Sequence, residues 1–283
     1  MSQDQRSILI TGCSSGIGLC VAEGLHQRGY RVFASARKRE DVEMLAAKGL
    51  ESLQLDLRDS DSIQRALDSV LEKTGGSLDA LFNNGAYGQP GAVEDLSREV
   101  LCQQFETNVF GTHELTCKVI PIMRRQGHGR IIMNSSVLGI ISLPFRGAYA
   151  SSKYAIEGLC DTLRLELHDS GIHVSMVEPG PVTSRFRANA FAKYQENIDK
   201  EQSYFRDTYQ RMENRLTKEG PAAPFTLPPE AVLEKVIHAM ESDKPKAHYY
   251  VTLPTYLFGY LKRILPTSAL DWVLRRVSKG ENR

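Results

Sequence analysis

Between Ile8 and about Val177 the chain alternates short β-rich runs with stretches of helical periodicity, and this alternation narrows the possible folds more than any other feature. The runs are Ser7 to Thr11, Arg31 to Ser35, Glu51 to Leu55, Ala80 to Asn83, Arg130 to Asn134 and His173 to Glu178, with a later one near His248 to Thr252. They are rich in Val, Ile and Leu without clean polar–apolar alternation, the mark of strands buried on both faces. Between them, Ile17 to Arg28, Ser60 to Lys73 and Arg98 to Met123 carry apolar residues at helical spacing with charges between. Strand–helix repetition without a long linker builds a parallel sheet, and burial on both faces demands helices on both sides. The expected fold is a doubly wound α/β sheet. With 283 residues, 41% of them hydrophobic, the chain has enough apolar material to close it as one large domain.

After Pro181 the composition turns polar and charged through Gly220, with Phe186, Phe191, Tyr194, Tyr204, Phe205 and Tyr209 set among the charges. A connection of that length is functional or disordered, and its aromatics favour an ordered cover, so residues 181–228 are read as a helical flap over a pocket. Pro228-Pro229-Glu230 then opens another helix. Residues 253–283 form an amphipathic extension, in which Tyr256 to Leu265 and Trp272 to Val277 combine apolar and basic faces. That extension suits packing over the pocket, against another subunit, or peripheral contact with a membrane, and is too short and charged to span one.

Charge excludes one class of partner. With 35 basic and 34 acidic residues the formal net charge is +1, so no global excess draws the chain to nucleic acid. Five cysteines without a C-x-x-C pair fit a reducing compartment. The polar start, Met1 to Arg6, lacks an export signal, and the expected location is cytoplasmic. His113, His168 and His173 have no metal-ligand spacing to one another or to Cys117, so no metal site is expected.

The first strand runs into Thr11-Gly12-Cys13-Ser14-Ser15-Gly16-Ile17-Gly18, which opens a helix. Glycines in a strand–turn–helix setting let backbone approach a pyrophosphate, and the helix N-terminus offers N–H groups and a positive dipole end. The spacing is Gly-x-x-x-Gly-x-Gly, not the commoner Gly-x-Gly-x-x-Gly. Where the second strand ends, a site selective for NAD would carry an acidic residue; here Arg37 and Lys38 follow Ala36. Arg37 suits a 2′-phosphate and Ser14 can donate to the same group, so NADP(H) is the expected cofactor.

Tyr149-Ala150-Ser151-Ser152-Lys153 sets a phenol and an ammonium one helical turn apart. A tyrosine ordinarily titrates near pH ~10. A neighbouring ammonium is expected to lower that value and make the pair a tuned acid/base. Taken alone, the spacing also occurs as a surface pair. Ser136, at the end of Arg130-Ile131-Ile132-Met133-Asn134-Ser135-Ser136, joins it as a donor for a substrate oxygen.

With these motifs assembled, the chain resembles the short-chain dehydrogenase/reductase family over nearly its whole length, and so implies a Rossmann fold. It adds Asn83-Asn84-Gly85-Ala86, Asn108-Val109-Phe110-Gly111 and Pro179-Gly180-Pro181-Val182 in the family's order. The resemblance implies that Tyr149 is the acid/base, that Lys153 tunes it and holds the nicotinamide ribose, that Ser136 binds the substrate oxygen and that Asn108 supports a proton relay. It also implies cofactor contacts for Gly12, Ser14, Ser15, Gly16, Ile17, Gly18, Asp56, Leu57, Asn83, Gly85, Pro179, Gly180, Val182, Thr183 and Ser184, with Asp56 against the adenine and a homo-oligomeric state. Two departures stand out: the family usually reads Asn-Asn-Ala-Gly at Asn83 to Ala86, and often threonine at Ser184, whose hydroxyl role adjacent Thr183 can also take.

Thr11 to Gly18 with Ala36-Arg37 is similar to the branch holding 17β-hydroxysteroid and retinol dehydrogenases and bacterial NADP-dependent aldehyde reductases, and the C-terminal region is similar to the last of these. The expected reaction is NADPH-dependent reduction of a hydrophobic aldehyde or ketone. Pocket walls are expected from Leu138, Ile140, Ile141, Leu143, Pro144, Phe145, Tyr87, Phe186 and Phe191. The alternatives are oxidation of a steroid or retinol by the same residues, and a non-catalytic NADP(H)-binding sensor.

Overall fold

A computed structural model describes residues 5–220 and 223–281; Met1 to Asp4, 221–222 and 282–283, which the sequence spans above include, lie outside the described residues. Seven strands form one all-parallel sheet: β1 (Ser7–Ile10), β2 (Arg31–Ala36), β3 (Glu51–Gln54), β4 (Ala80–Asn83), β5 (Gly129–Asn134), β6 (Ile172–Glu178) and β7 (His248–Tyr250). Their order is β3-β2-β1-β4-β5-β6-β7. The chain first builds outward from β1 through β2 to β3, then returns and builds the other way from β4. In such a sheet the crevice beyond the carboxyl ends of the two strands at the reversal, here β1 and β4, is where ligands bind.

Side chains alternate across the sheet and enter two separate cores. Leu9, Phe33, Leu53, Leu81, Ile131 and Met176 face α3 (Ser60–Thr74), α5 (Thr112–Gln126) and α6 (Gly147–Glu166). Ile8, Ile10, Val32, Ala34, Phe82 and Ile132 face α1 (Gly16–Gln27), α2 (Arg39–Ala47) and α9 (Glu230–Glu241). The unbroken apolar runs are explained by this two-sided burial.

Arg98 to Met123, expected as one helix, is interrupted. α4 (Arg98–Phe105) passes into a six-residue π segment, Glu106–Gly111, before α5 begins. The interruption is only six residues long, too short for spacing to reveal it, and such segments gather at functional sites.

The flap contains α7 (Phe186–Asn197) and α8 (Arg206–Thr217), closed over a small core of Ala92, Tyr194, Tyr209, Met212 and Leu216. The Tyr209 hydroxyl donates to Asp95 Oδ2 at 2.5 Å and accepts from the Ala92 N–H at 2.8 Å, tying the pair to the loop after β4. The extension contains α10 (Leu253–Ile264) and α11 (Thr267–Glu281), where Phe258 and Leu274 pack on Ile141. Among the described residues no helix is long and apolar enough to cross a membrane.

Candidate active site

The turn after β1 and the turn after β4 are stitched together at the reversal. The Thr11 hydroxyl accepts from the N–H groups of Asn84 (2.9 Å) and Gly85 (2.8 Å), and Asn84 Nδ2 donates to the carbonyls of Thr11 (2.9 Å) and Gly12 (3.0 Å). Asn134, at the end of β5, donates to Asn84 Oδ1 at 2.9 Å and so joins a third strand end to the same knot. Two glycines are required here by geometry. Gly12 has φ +71° and a Cβ on it would meet Gly85 Cα at 2.7 Å; Gly16 has φ +57° and its Cβ would meet Ser184 Cβ at 2.8 Å. Ser15 stands at the N-cap of α1 without a side-chain capping bond, so the first-turn N–H groups of α1 are not capped by it. A bare helix start in a glycine cradle fits a pyrophosphate.

A cleft of about 2210 Å³ opens from this knot. Gly12, Ser14, Ser15, Gly16, Ile17, Gly18, Gly85, Ser136, Tyr149, Lys153, Pro179, Gly180, Val182, Thr183 and Ser184 all line it. Arg37 and Lys38, directly after β2, and Asp56 and Leu57, after β3, lie outside its walls along the same carboxyl edge. Asp56 Oδ1 accepts from the Arg58 N–H at 3.0 Å. Arg37 is exposed and, among the described residues, makes no ion pair, which leaves its guanidinium available to an anion.

Tyr149 and Lys153 sit in α6 as the spacing predicts, and Ser136 begins the turn after β5, its oxygen accepting from the Leu138 N–H at 3.1 Å. Lys153 is 4% exposed; its Nζ donates to the Asn134 carbonyl at 2.6 Å and lies 5.6 Å from the centre of the Tyr149 ring. The expected direction of tuning is corrected here. Burial pushes the Tyr149 phenol up to about 12, with the Ser136 hydroxyl pulling the other way. Burial likewise pushes the Lys153 ammonium down to about 8, opposed by the Glu157 carboxylate. Loss of hydration is the larger effect on the phenol, and the Lys153 ammonium is aimed at the Asn134 carbonyl.

Two side chains expected at the site make contacts of another kind. Asn83 is the last residue of β4 and turns inward: its Nδ2 donates to Thr116 Oγ1 at 2.9 Å, and Asn84, one position on, takes the place at the cleft. Asn108, in the π segment, is 2% exposed and touches neither Tyr149 nor Lys153 by hydrogen bond. It clamps Tyr87 instead, accepting from its N–H (3.1 Å) and donating to its carbonyl (2.9 Å), and donates to Ser152 Oγ (3.1 Å) beside Lys153. Its side chain is therefore a brace behind α6.

Of the expected apolar walls, Leu138, Ile141, Leu143, Pro144, Phe145 and Phe186 line the cleft. The Phe186 ring meets Tyr149 edge-on at 5.1 Å between centroids. Phe191 instead stacks on Tyr194 inside the flap, Ile140 packs against the extension, and Tyr87 is held on the Asn108 side. Leu253, Leu257 and Phe258 of α10 complete the walls, an assignment their sequence pattern left open.

One cluster escaped the sequence reading, which weighed His113, His168, His173 and Cys117 and no carboxylate when it found no metal spacing. Ligand-type atoms of Glu157 on α6, Glu178 at the end of β6 and His248 at the start of β7 lie within 4.8 Å of one another. Glu178 is 1% exposed; His248 Nδ1 hydrogen-bonds its Oε1 at 2.6 Å, while Oε2 has no hydrogen-bond partner among the described residues. The Ser135 hydroxyl donates to Glu157. Burial pushes Glu157 up to about 7 and raises Glu178 too, and the hydrogen bond to Glu178 raises His248. The cluster stands directly behind Lys153.

This geometry has counterparts. A family model for the short chain dehydrogenases matches residues 6–195. The chain is 45% identical over 271 residues to an uncharacterized oxidoreductase, YbbO, of Escherichia coli strain K12, covering 96% of this chain and 94% of that one. It is 35% identical to human 17-beta-hydroxysteroid dehydrogenase type 1 over 258 residues, covering 87% and 77%. Among solved structures, an actinorhodin polyketide ketoreductase variant with NADPH superposes with a TM-score of 0.72 at 28% identity, covering 88% of this chain and 97% of that chain. The chain belongs to the short-chain dehydrogenase/reductase family, and is an oxidoreductase of CH–OH and carbonyl groups.

Proposed function

We propose that the protein reduces a hydrophobic aldehyde or ketone to the alcohol with NADPH. The observation that carries this reading is the meeting of Ser136, Tyr149 and Lys153 with the glycine cradle and an apolar wall in one cleft. NADPH, when bound, supplies the hydride to the carbonyl carbon. Its pyrophosphate suits the uncapped start of α1 at Gly16 to Gly18, its 2′-phosphate suits Arg37, and Thr183 and Ser184 offer hydroxyls to the nicotinamide end.

Tyr149 holds its proton at neutral pH, since burial raises its phenol, and so stands ready to donate to the carbonyl oxygen. Ser136 donates to that oxygen as negative charge develops on it. Lys153 then stabilises the phenolate left behind, and the Asn134 carbonyl keeps its ammonium in place. Phe186 packs on the Tyr149 ring and helps exclude water, with residues 181–228 acting as the substrate flap. The reverse reaction on a steroid or retinol alcohol uses the same groups by microscopic reversibility.

The test is NADPH absorbance loss with aliphatic, aromatic, steroid and retinoid carbonyls, with a Tyr149→Phe control and NADH in parallel. Turnover with NADPH that disappears in the control supports the reading. Tight NADPH binding with no turnover across the panel favours a sensor, and preference for NADH removes Arg37 from the cofactor site.

A further inference from the structure

The chain is almost neutral, but its cleft is not. Among the described residues no Asp or Glu lines it, whereas Arg and Lys do so repeatedly. Lys153 belongs to the Tyr149 site, and Arg185 follows Ser184, which abuts Gly16, so those two cations serve the cofactor half. Beside Arg146 and Arg215, the remaining space is lined by five further cations: Arg187, Arg211 and Lys218 from the flap and Arg275 and Arg276 from α11. Two elements far apart in sequence thus deliver charge of one sign to one cavity.

Among the described residues, none of these five makes an ion pair. Arg187 is held by the carbonyls of Lys218 and Gly220, Arg211 donates to Thr208 Oγ1 at 3.1 Å, and the Arg276 guanidinium lies 3.8 Å from the centre of the Trp272 ring. Such contacts orient a guanidinium without cancelling its charge. The same cavity is walled by Leu143, Leu253, Leu257 and Phe258. Like charges gathered over low-dielectric walls focus a positive potential, and guanidinium groups bind oxyanions by paired donors. The pyrophosphate and 2′-phosphate of a nicotinamide cofactor already have their own cradle at α1 and Arg37, so these cations await a different anion.

We infer that the substrate is an anionic amphiphile: a carbonyl compound with an apolar segment near the reacting carbon and a phosphate, sulfonate or carboxylate group further along its length. This rests on the carbonyl-reductase reading above and adds a second recognition element to it. The apolar walls take the chain beside Tyr149, and flap and α11 take the charge.

The experiment compares medium-chain aldehydes of equal length whose far end is methyl, carboxylate, sulfonate or phosphate, using full-length protein and NADPH at low and high salt. Two double variants, R211Q/K218Q and R275Q/R276Q, are run beside the parent. The quantity read is the ratio of kcat/KM for the charged aldehyde to that for the methyl-ended one, which cancels differences in the amount of folded enzyme. The ratio is expected to exceed about tenfold at low salt, to fall with salt, and to collapse in at least one double variant. A ratio near one with good turnover of the methyl-ended aldehyde overturns the inference and leaves the reductase standing. If no aldehyde turns over, the reductase reading fails, and calorimetric titration of the NADP-loaded protein with decyl phosphate against decanol decides the inference alone: tighter phosphate binding upholds it, equal binding ends it. If the double variants lose co-sedimentation with phosphatidylglycerol vesicles while the ratio stays near one, the cations serve a lipid surface and the inference falls.

Discussion

Lys153 donates to the main-chain carbonyl of Asn134 at 2.6 Å, and Asn134 in turn donates through Nδ2 to Asn84 at 2.9 Å, so the buried ammonium is anchored to the knot that shapes the glycine cradle. Its folded value near 8 lies below the ordinary 10.5. The unfolded chain therefore binds more protons between those values, and stability is expected to rise with pH across that window. Activity runs the other way. With NADPH as the varied substrate, kcat/KM is expected to fall above about pH 8 as the ammonium is lost. A rate that stays flat to beyond pH 10 would separate Lys153 from the reaction.

The Glu157, Glu178 and His248 cluster predicts a slope of opposite sign at lower pH. All three hold protons more tightly in the folded state, Glu157 near 7 against an ordinary 4.5. The folded chain binds more protons over that span, so stability contributed by the cluster falls as pH rises from about 4.5 to about 7. Glu157→Gln is expected to flatten this part of the Tm–pH curve and, by removing a carboxylate that favours the Lys153 ammonium, to move the basic limb of activity to lower pH. Parallel curves for variant and parent would mean that the cluster is inert.

Arg37→Gln is expected to raise the KM for NADPH about tenfold, the loss of one solvent-exposed charge-assisted contact, with the KM for NADH unchanged. Steady-state kinetics with both cofactors reads this directly. An equal change for both would place Arg37 on a part of the cofactor that the two share.

Asn84→Ala removes three side-chain hydrogen bonds from the knot. The expected cost is about 2 kcal/mol in urea unfolding, with weaker NADPH binding. Asn84→Asp is expected to be worse than alanine, since it sets a carboxylate against the carbonyls of Thr11 and Gly12. If aspartate proves milder, the assigned direction of these bonds is wrong.

Tyr209→Phe strips the Ala92 N–H and Asp95 of their shared partner at a fully buried position. A loss of about 1–2 kcal/mol is expected, with faster proteolysis within residues 198–220 than in the parent. Unaltered cleavage there would show that the aromatic core alone holds the flap.

Much of this was legible in the sequence because it depends on local pattern. Apolar runs placed every strand to within two residues, Arg31 to Ser35 against Arg31–Ala36 for instance, and Tyr149, Lys153 and Ser136 announced themselves by spacing and order. What stayed hidden depends on distance in the chain or on a single residue of phase. Whether Asn83 or Asn84 faces the cleft turns on where β4 stops, and alternation reads either way until that end is known. Glu157, Glu178 and His248 come from three elements that only the β6–β7 pairing and the packing of α6 bring together. The sign of the shift on Tyr149 required the depth of burial, which no motif encodes.

The flap has an interior of its own, built on Tyr194, Tyr209, Met212 and Leu216 and separate from both cores of the sheet. Apart from Phe186, whose ring meets Tyr149, its helices can exchange residues on the side facing the cleft without touching the two cores that seat α6. A helical pair with its own packing is a place where the wall of a cleft can be redrawn while the sheet behind Ser136, Tyr149 and Lys153 keeps its shape.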